Sequence, residues 1–198
     1  MKGGNFDFIP ESWLCKSTEH LEVLEQVVTL AVELAREGRE GKKVGTIFTV
    51  FNADKVMSHS RCMILDPLAH HNATQKQIKD PNLRETVKEL SQLDGAFVVD
   101  DHGVVLSGCR YLDGTVDGVS LPLGLGSRHM AAASISKKTG CVSVVVSESS
   151  IVRIFIDGKI VSEIIPEIWL LKRYGIHLEG AYRKRNVEDI TVLDKEVE

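Results

Sequence analysis

Leu93-Asp94-Gly95-Ala96-Phe97-Val98-Val99-Asp100-Asp101-His102-Gly103-Val104-Val105-Leu106 is the stretch on which the fold turns. The apolar run Ala96–Val99 has the composition of a buried strand. Asp100-Asp101-His102-Gly103 carries turn chemistry, and Val104-Val105-Leu106 resumes the strand, so the segment reads as a hairpin. Just ahead of it, Asp80-Pro81 opens a helix marked by Leu83, Val87 and Leu90, with proline near its first turn.

Outward from the hairpin, helical and strand patterns alternate. Ser17 or Thr18 can cap a helix in which Leu21, Leu24, Val27, Val28, Ala31, Leu34 and Ala35 recur at helical spacing, and Gly38 and Gly41 end it. Val44–Phe51 reads as a buried strand and Asn52-Ala53-Asp54 as a turn. Met63-Ile64-Leu65 is short structure in a weakly patterned region. The glycine-rich segment 113–126 is a loop, and Ser127 can cap a helix that ends at Gly140. Cys141–Val146 is a strand. Val152–Ile156 and Ile160-Val161 flank Asp157-Gly158, a type I′ hairpin signal. A C-terminal helix is expected from Pro166 to Gly175, with a frayed acidic end at Asp194–Glu198. Helices alternate with strands, and two hairpins interrupt them. The expected fold class is α/β, a mixed central β-sheet flanked by helices.

Composition narrows the function. The chain has 198 residues, 43% hydrophobic and 26% charged, with net charge −4. That balance is ordinary for a globular protein and gives no global pull toward nucleic acid or acidic membranes. A basic cluster at Lys172, Arg173, Arg183, Lys184 and Arg185 reads as a solvated surface. The four cysteines are far apart and form no C-x-x-C pair, against a zinc site or a disulfide-stapled domain; Cys109 and Cys141 read as core residues. No apolar run approaches the roughly 18 residues of a membrane span, and the first residues lack a leader's apolar core. The expected compartment is the cytoplasm.

Three places carry chemistry. Asp94 supplies a carboxylate at a strand start, and Gly95 permits close approach by a ligand or another backbone; taken alone, Asp-Gly is an ordinary turn. Gly126-Ser127-Arg128-His129 places cationic side chains at a helix start, where unpaired N–H groups favour an anion. Ser147 and Glu148 follow the strand Cys141–Val146, where a hydroxyl could meet a phosphate and a carboxylate a divalent cation. His70 and His71 are adjacent and make no metal pair. Gly124-Leu125-Gly126 is no dinucleotide fingerprint, and the phosphate-loop and kinase motifs are absent.

Together, Leu93–Val99, Gly124–Ala132 and Val146-Ser147-Glu148 resemble the diadenylate cyclase domain, the catalytic domain of the bacterial DNA-integrity scanning protein, of membrane-bound bacterial cyclases and of soluble archaeal cyclases. The resemblance implies a diadenylate cyclase-like fold with an N-terminal segment and helix start at 1–26, a catalytic domain at 27–165 and a C-terminal extension at 166–198. It implies condensation of two ATP to cyclic di-AMP and two pyrophosphates with Mn²⁺ or Mg²⁺. Two copies would meet face to face as a homo-oligomer. Residue by residue, Asp94 would activate the 3′-hydroxyl or lie by the metal, and Gly95 would contact the nucleotide through its backbone beside Ala96. Gly126, Ser127, Arg128 and His129 would cradle the phosphates, Ser147 would bind the phosphate tail, and Glu148 would join Asp94 at the metal. Three positions depart from the family pattern. Met130 replaces the usual Arg or Thr, Leu93 a metal-binding His of some members, and Ser149 a second Glu. The alternatives are a nucleotide-binding sensor without turnover and a nucleotidyltransferase acting on another hydroxyl.

Overall fold

The computed structural model describes residues 17–113 and 118–166, and the backbone of 182–187 and 190–195. Helix α1 (Thr18–Glu37) starts where Ser17 accepts a hydrogen bond from the His20 N–H and stops at Gly38, φ 60°. Strand β1 (Thr46–Val50) follows, then helix α2 (Ala53–Ser58) and strand β2 (Ser60–Cys62). Helix α3 (Pro81–Leu90) leads to β3 (Ala96–Val99) and β4 (Val105–Leu112). Helix α4 (Ser127–Thr139) precedes β5 (Val142–Val146), β6 (Val152–Ile156) and β7 (Lys159–Ile164).

These strands form one sheet in the order β2-β4-β3-β1-β5-β6-β7, with β1 and β3 parallel and every other neighbour antiparallel. Successive strand residues point to opposite faces. Phe48, Phe97, Val144 and Ile154 join α1 and α3 in one core; Ile47, Val98, Val145 and Phe155 join α2 and α4 in the other. The mixed sheet flanked by helices is therefore observed, as three layers. The small residues Ala132 and Ala133, fully buried, seat α4 on the sheet.

Several local expectations change. Asn52-Ala53-Asp54 is the start of α2 rather than a turn: Phe51 and Asn52 both take left-handed φ, 69° and 49°, and swing the chain into the helix. The Asn52 amide then donates to the Gly140 carbonyl at 2.9 Å, tying α2 to the end of α4. Ser127 is the first residue of α4, not its cap; Gly126 holds that position and gives no side-chain hydrogen bond. Met63-Ile64-Leu65 is exposed chain after β2. The C-terminal segment holds a separate hairpin, β8 (Tyr182–Val187) with β9 (Ile190–Lys195), so Asp194 and Lys195 are paired rather than frayed. The expected helix from Pro166 to Gly175 lies outside the described residues but for Pro166. The Asp157-Gly158 turn has positive φ at both residues, 49° and 76°, as type I′ demands.

Candidate functional site

Asp94 and Gly95 enter β3 at its amino end. The adjoining antiparallel strand β4 finishes there, so Arg110, Tyr111 and Leu112 stand beside Ala96. The start of β1 and the first turn of α4 close the space from the other side. The resulting cavity is about 360 Å³, within the range of small-molecule sites. Its apolar wall is Ile47, Met63, Ala96 and Leu112, with Tyr111 half exposed at the mouth. Asp94, Gly95, Ser127 and Arg128 form the polar rim.

Gly95 is held there by sterics. Its φ is 114°, and a methyl group on it would stand 2.5 Å from the Cys109 carbonyl carbon and 2.7 Å from the Arg110 nitrogen. The cause lies in β4. Cys109 takes φ 52°, and the β3–β4 register shifts between Ala96 and Val98, so the β4 backbone presses onto Gly95. Thr46 Oγ1 donates to the Gly95 carbonyl at 3.4 Å and ties the same point to β1. The neighbouring Asp94 carboxylate is left 80% exposed and aimed at solvent rather than tied into the turn.

Arg128 is the hub of the rim. Its Nη1 lies 2.8 Å from Glu148 Oε1 and its Nη2 3.6 Å from Asp94 Oδ1. The guanidinium lies over Gly45, where a methyl group would meet Nη1 at 2.6 Å and Cζ at 2.9 Å. Both carboxylates are exposed, so each pairing is worth no more than about 1 kcal/mol. A charge-assisted bond to a phosphate contributes about 1.5–3 kcal/mol, enough to displace either carboxylate. Because Gly126 supplies no capping side chain, the Ser127 and Arg128 N–H groups remain available to the same anion, while those of His129 and Met130 donate to the Gly126 carbonyl.

The structure brings Asp94, Gly95, Ala96, Ser127 and Arg128 to one cavity and joins Glu148 to it through Arg128. His129 and Ser147 stand behind the rim. The imidazole of His129 is buried against Phe155 of β6, with ring centroids 6.2 Å apart. Arg153 Nη1 lies 3.1 Å from its Nε2. A guanidinium only donates, so Nε2 accepts and the proton sits on Nδ1. Burial, then the Arg153 and Arg128 charges, hold His129 below its ordinary pKa of 6.5 and favour this neutral form. Arg153 in turn pairs with Glu163 of β7 at 2.5 Å. Ser147 is consumed by its own turn: its Oγ donates to the Ile151 carbonyl at 2.9 Å and receives the Ile151 N–H at 3.3 Å. That turn presents Glu148.

Sequence reasoning passed over Gly45, Arg110 and Tyr111. A glycine at the start of β1 was a visible signal for the first. The other two come to the site only through the β3–β4 pairing. Arg110 is buried, and its guanidinium donates to Ser60 Oγ and O, Ser107 Oγ, the Met57 carbonyl and Cys62 Sγ, locking β2 to the cavity wall. Cys109 and Cys141 are buried as expected, and burial pushes both thiols up. Among the described residues, no three His, Cys, Asp or Glu side chains gather as a metal cluster. Asp94 and Glu148 are two hard carboxylates near the helix start, the donor type that holds a hard divalent cation jointly with phosphates.

A three-layer α/β fold with an apolar pocket rimmed by charged side chains and a helix start defines an α/β protein with a small-molecule pocket. Residues 33–160 match the model of the DAC family, the DisA bacterial checkpoint controller nucleotide-binding domain, and the chain belongs to that family. It is 51% identical over 149 residues to a diadenylate cyclase of Methanocaldococcus jannaschii, covering 75% of this chain and 47% of the relative. It is 40% identical over 148 residues to a diadenylate cyclase of Haloferax volcanii, covering 74% and 54%. The chain thus spans about half the length of the curated relatives it matches. The fold is shared with the crystal structure of a hypothetical membrane spanning protein from Bacillus cereus, at TM-score 0.53, 20% identity, 71% coverage of this chain and 62% of that one. Among the described residues, no helix is long and apolar enough to cross a membrane.

Proposed function

We propose that residues 27–165 form a diadenylate cyclase domain that condenses two ATP into cyclic di-AMP and two pyrophosphates. The observation that carries the reading is the joining of the Asp94-Gly95-Ala96 and Ser127-Arg128 motifs at one apolar cavity. Family membership and the two archaeal relatives named diadenylate cyclase support it. The apolar wall accepts the flat base, and the rim accepts charge. Ser127, Arg128 and the α4 N–H groups cradle the phosphates. His129 fixes the first turn of α4 from behind, and Ser147 fixes the turn that carries Glu148.

One ATP fills one cavity, so the reaction needs a second copy of the domain facing the first. Each 3′-hydroxyl oxygen attacks the α-phosphorus of the ATP held by the other copy. A new P–O bond forms, the bond to the β-phosphate breaks, and pyrophosphate leaves. Asp94 takes the hydroxyl proton. Mn²⁺ or Mg²⁺, held by Asp94 and Glu148, would supply charge neutralisation for the phosphates. Positioning and charge do most of the work in such transfers, and the site offers no covalent nucleophile. With ATP as the proposed substrate, the cytoplasm is the compartment this reading expects.

Incubation with ATP and Mn²⁺, with products identified by mass spectrometry, tests the assignment. Cyclic di-AMP and pyrophosphate are expected. Bound but unconverted ATP would favour the sensor reading, which Met130, 41% exposed on the first turn of α4, makes concrete. A linear or foreign adduct would indicate another nucleotidyltransferase.

A further inference from the structure

We propose that Glu148 is a counter-ion gate on Arg128: it occupies the guanidinium in the empty site, yields it to the incoming phosphates, and is thereby freed for the cation. The inference rests on the nucleotide reading of the cavity but concerns the order and coupling of binding rather than the reaction. Three observations carry it. Arg128 is seated by Gly45, whose missing side chain is filled by the guanidinium at 2.6–2.9 Å from the position a methyl would take. The seat holds the guanidinium between Glu148 at 2.8 Å and Asp94 at 3.6 Å, the two exposed carboxylates that pair with it. The turn that carries Glu148 is fixed by Ser147, whose hydroxyl bonds both the amide and the carbonyl of Ile151.

Consider the charges. In the empty site one cation faces two carboxylates, so a divalent ion entering alone must compete with Arg128 for both. A triphosphate entering alone must strip Glu148 from Arg128. When both arrive, Arg128 turns to phosphate and the carboxylates turn to the metal, and neither competition remains. Each ligand therefore raises the affinity for the other beyond the chelation of metal by the nucleotide itself, as reciprocal linkage requires. Glu148 acts as a positioning residue in the empty state and as a ligand candidate in the loaded one.

A double-mutant cycle on binding tests this, read by calorimetric titration of ATP in the presence of a chelator. Glu148→Gln keeps the shape and removes the charge. It should raise metal-free ATP affinity about fivefold, the fold-change that matches release of an exposed ion pair. In an Arg128→Gln background the same substitution should give no gain, because the gate has nothing to hold. In parallel, Mn²⁺ alone, followed by the paramagnetic resonance of the free ion, should bind Arg128→Gln more tightly than wild type. An equal gain from Glu148→Gln in both backgrounds would mean a general field rather than a gate and would overturn the proposal. So would no gain in the wild-type background, or Mn²⁺ binding indifferent to Arg128. Failure of wild type and all variants to bind ATP would refute the nucleotide reading itself, and the gate with it.

Discussion

Gly45→Ala is the perturbation that most sharply probes how the site is built. Gly45 has no positive φ, so alanine fits its backbone. The obstacle is Arg128. The new methyl would lie 2.6 Å from Nη1 and 2.9 Å from Cζ, against an ordinary contact of 3.4 Å or more. The guanidinium is the end of a flexible side chain, so it moves and the backbone stays. It must retreat by nearly an ångström, which breaks its 2.8 Å contact with Glu148 and its aim at the phosphate seat. Losing the charge-assisted bond to phosphate costs about 1.5–3 kcal/mol and release from Glu148 returns up to about 1 kcal/mol, so ATP affinity should fall roughly tenfold. Misplacement of this size in a positioned site costs up to about 10²-fold in turnover. Folding should not suffer: replacing glycine at a compatible backbone contributes about 0.4–1 kcal/mol through the unfolded chain, set against a small local adjustment. Calorimetric titration with ATP, a product assay and a thermal melt read the three quantities. A variant that melts near wild type yet binds and converts ATP normally would refute the claim that Gly45 seats Arg128 for catalysis.

Other substitutions separate the remaining roles. Asp94→Asn should lower turnover by about 10²–10⁴, while ATP affinity titrated with a chelator present should not fall, because the carboxylate acts on the hydroxyl and the metal and donates nothing to the triphosphate. Gly95→Ala should destabilise the fold by about 3 kcal/mol or more in denaturant unfolding, since its methyl meets the backbone of β4 at 2.5–2.7 Å and cannot be relieved by a side-chain shift. His129 gives a pH signature. Its folded pKa is lowered from 6.5, so the unfolded chain takes up the proton first. Its contribution to stability is complete above about pH 6.5 and is lost as the pH falls from there through the depressed folded value. The slope of melting temperature between pH 7 and pH 5 should be shallower in His129→Gln than in wild type.

Much of this architecture is written locally. The periodicity of α1, with Ser17 and Gly38 among the caps offered for it, the presence of the β-branched strands and the Asp157-Gly158 turn all depend on near neighbours and are found, although β1 is shorter and β4 longer than their patterns. The motifs of the site were legible as well, because helix starts and glycines have local consequences. What escaped depends on pairing at long range. Strand β2 is three residues long and is defined by its pairing with β4, across which Arg110 donates to Ser60. The six-residue helix α2 is too short to show a period. Tyr111 becomes a wall of the cavity only when β4 runs back beside β3. The inward turn of His129 was hidden for another reason. Its place at a helix start was correct, but packing against Phe155 and Arg153 sets the direction of its ring.

The central claim is that each chain holds half of a catalytic unit for making cyclic di-AMP. Mixing tests it most directly. Wild-type chains are combined with Asp94→Asn chains at constant total concentration, and cyclic product is measured after exchange of partners. A mixed pair has only one hydroxyl activator and cannot close the ring. An equal mixture should therefore retain about one quarter of the wild-type rate, the share of pairs with two intact copies in a symmetric dimer. A rate that falls only in proportion to the wild-type fraction, or a wild-type protein that makes no cyclic di-AMP, would contradict the account.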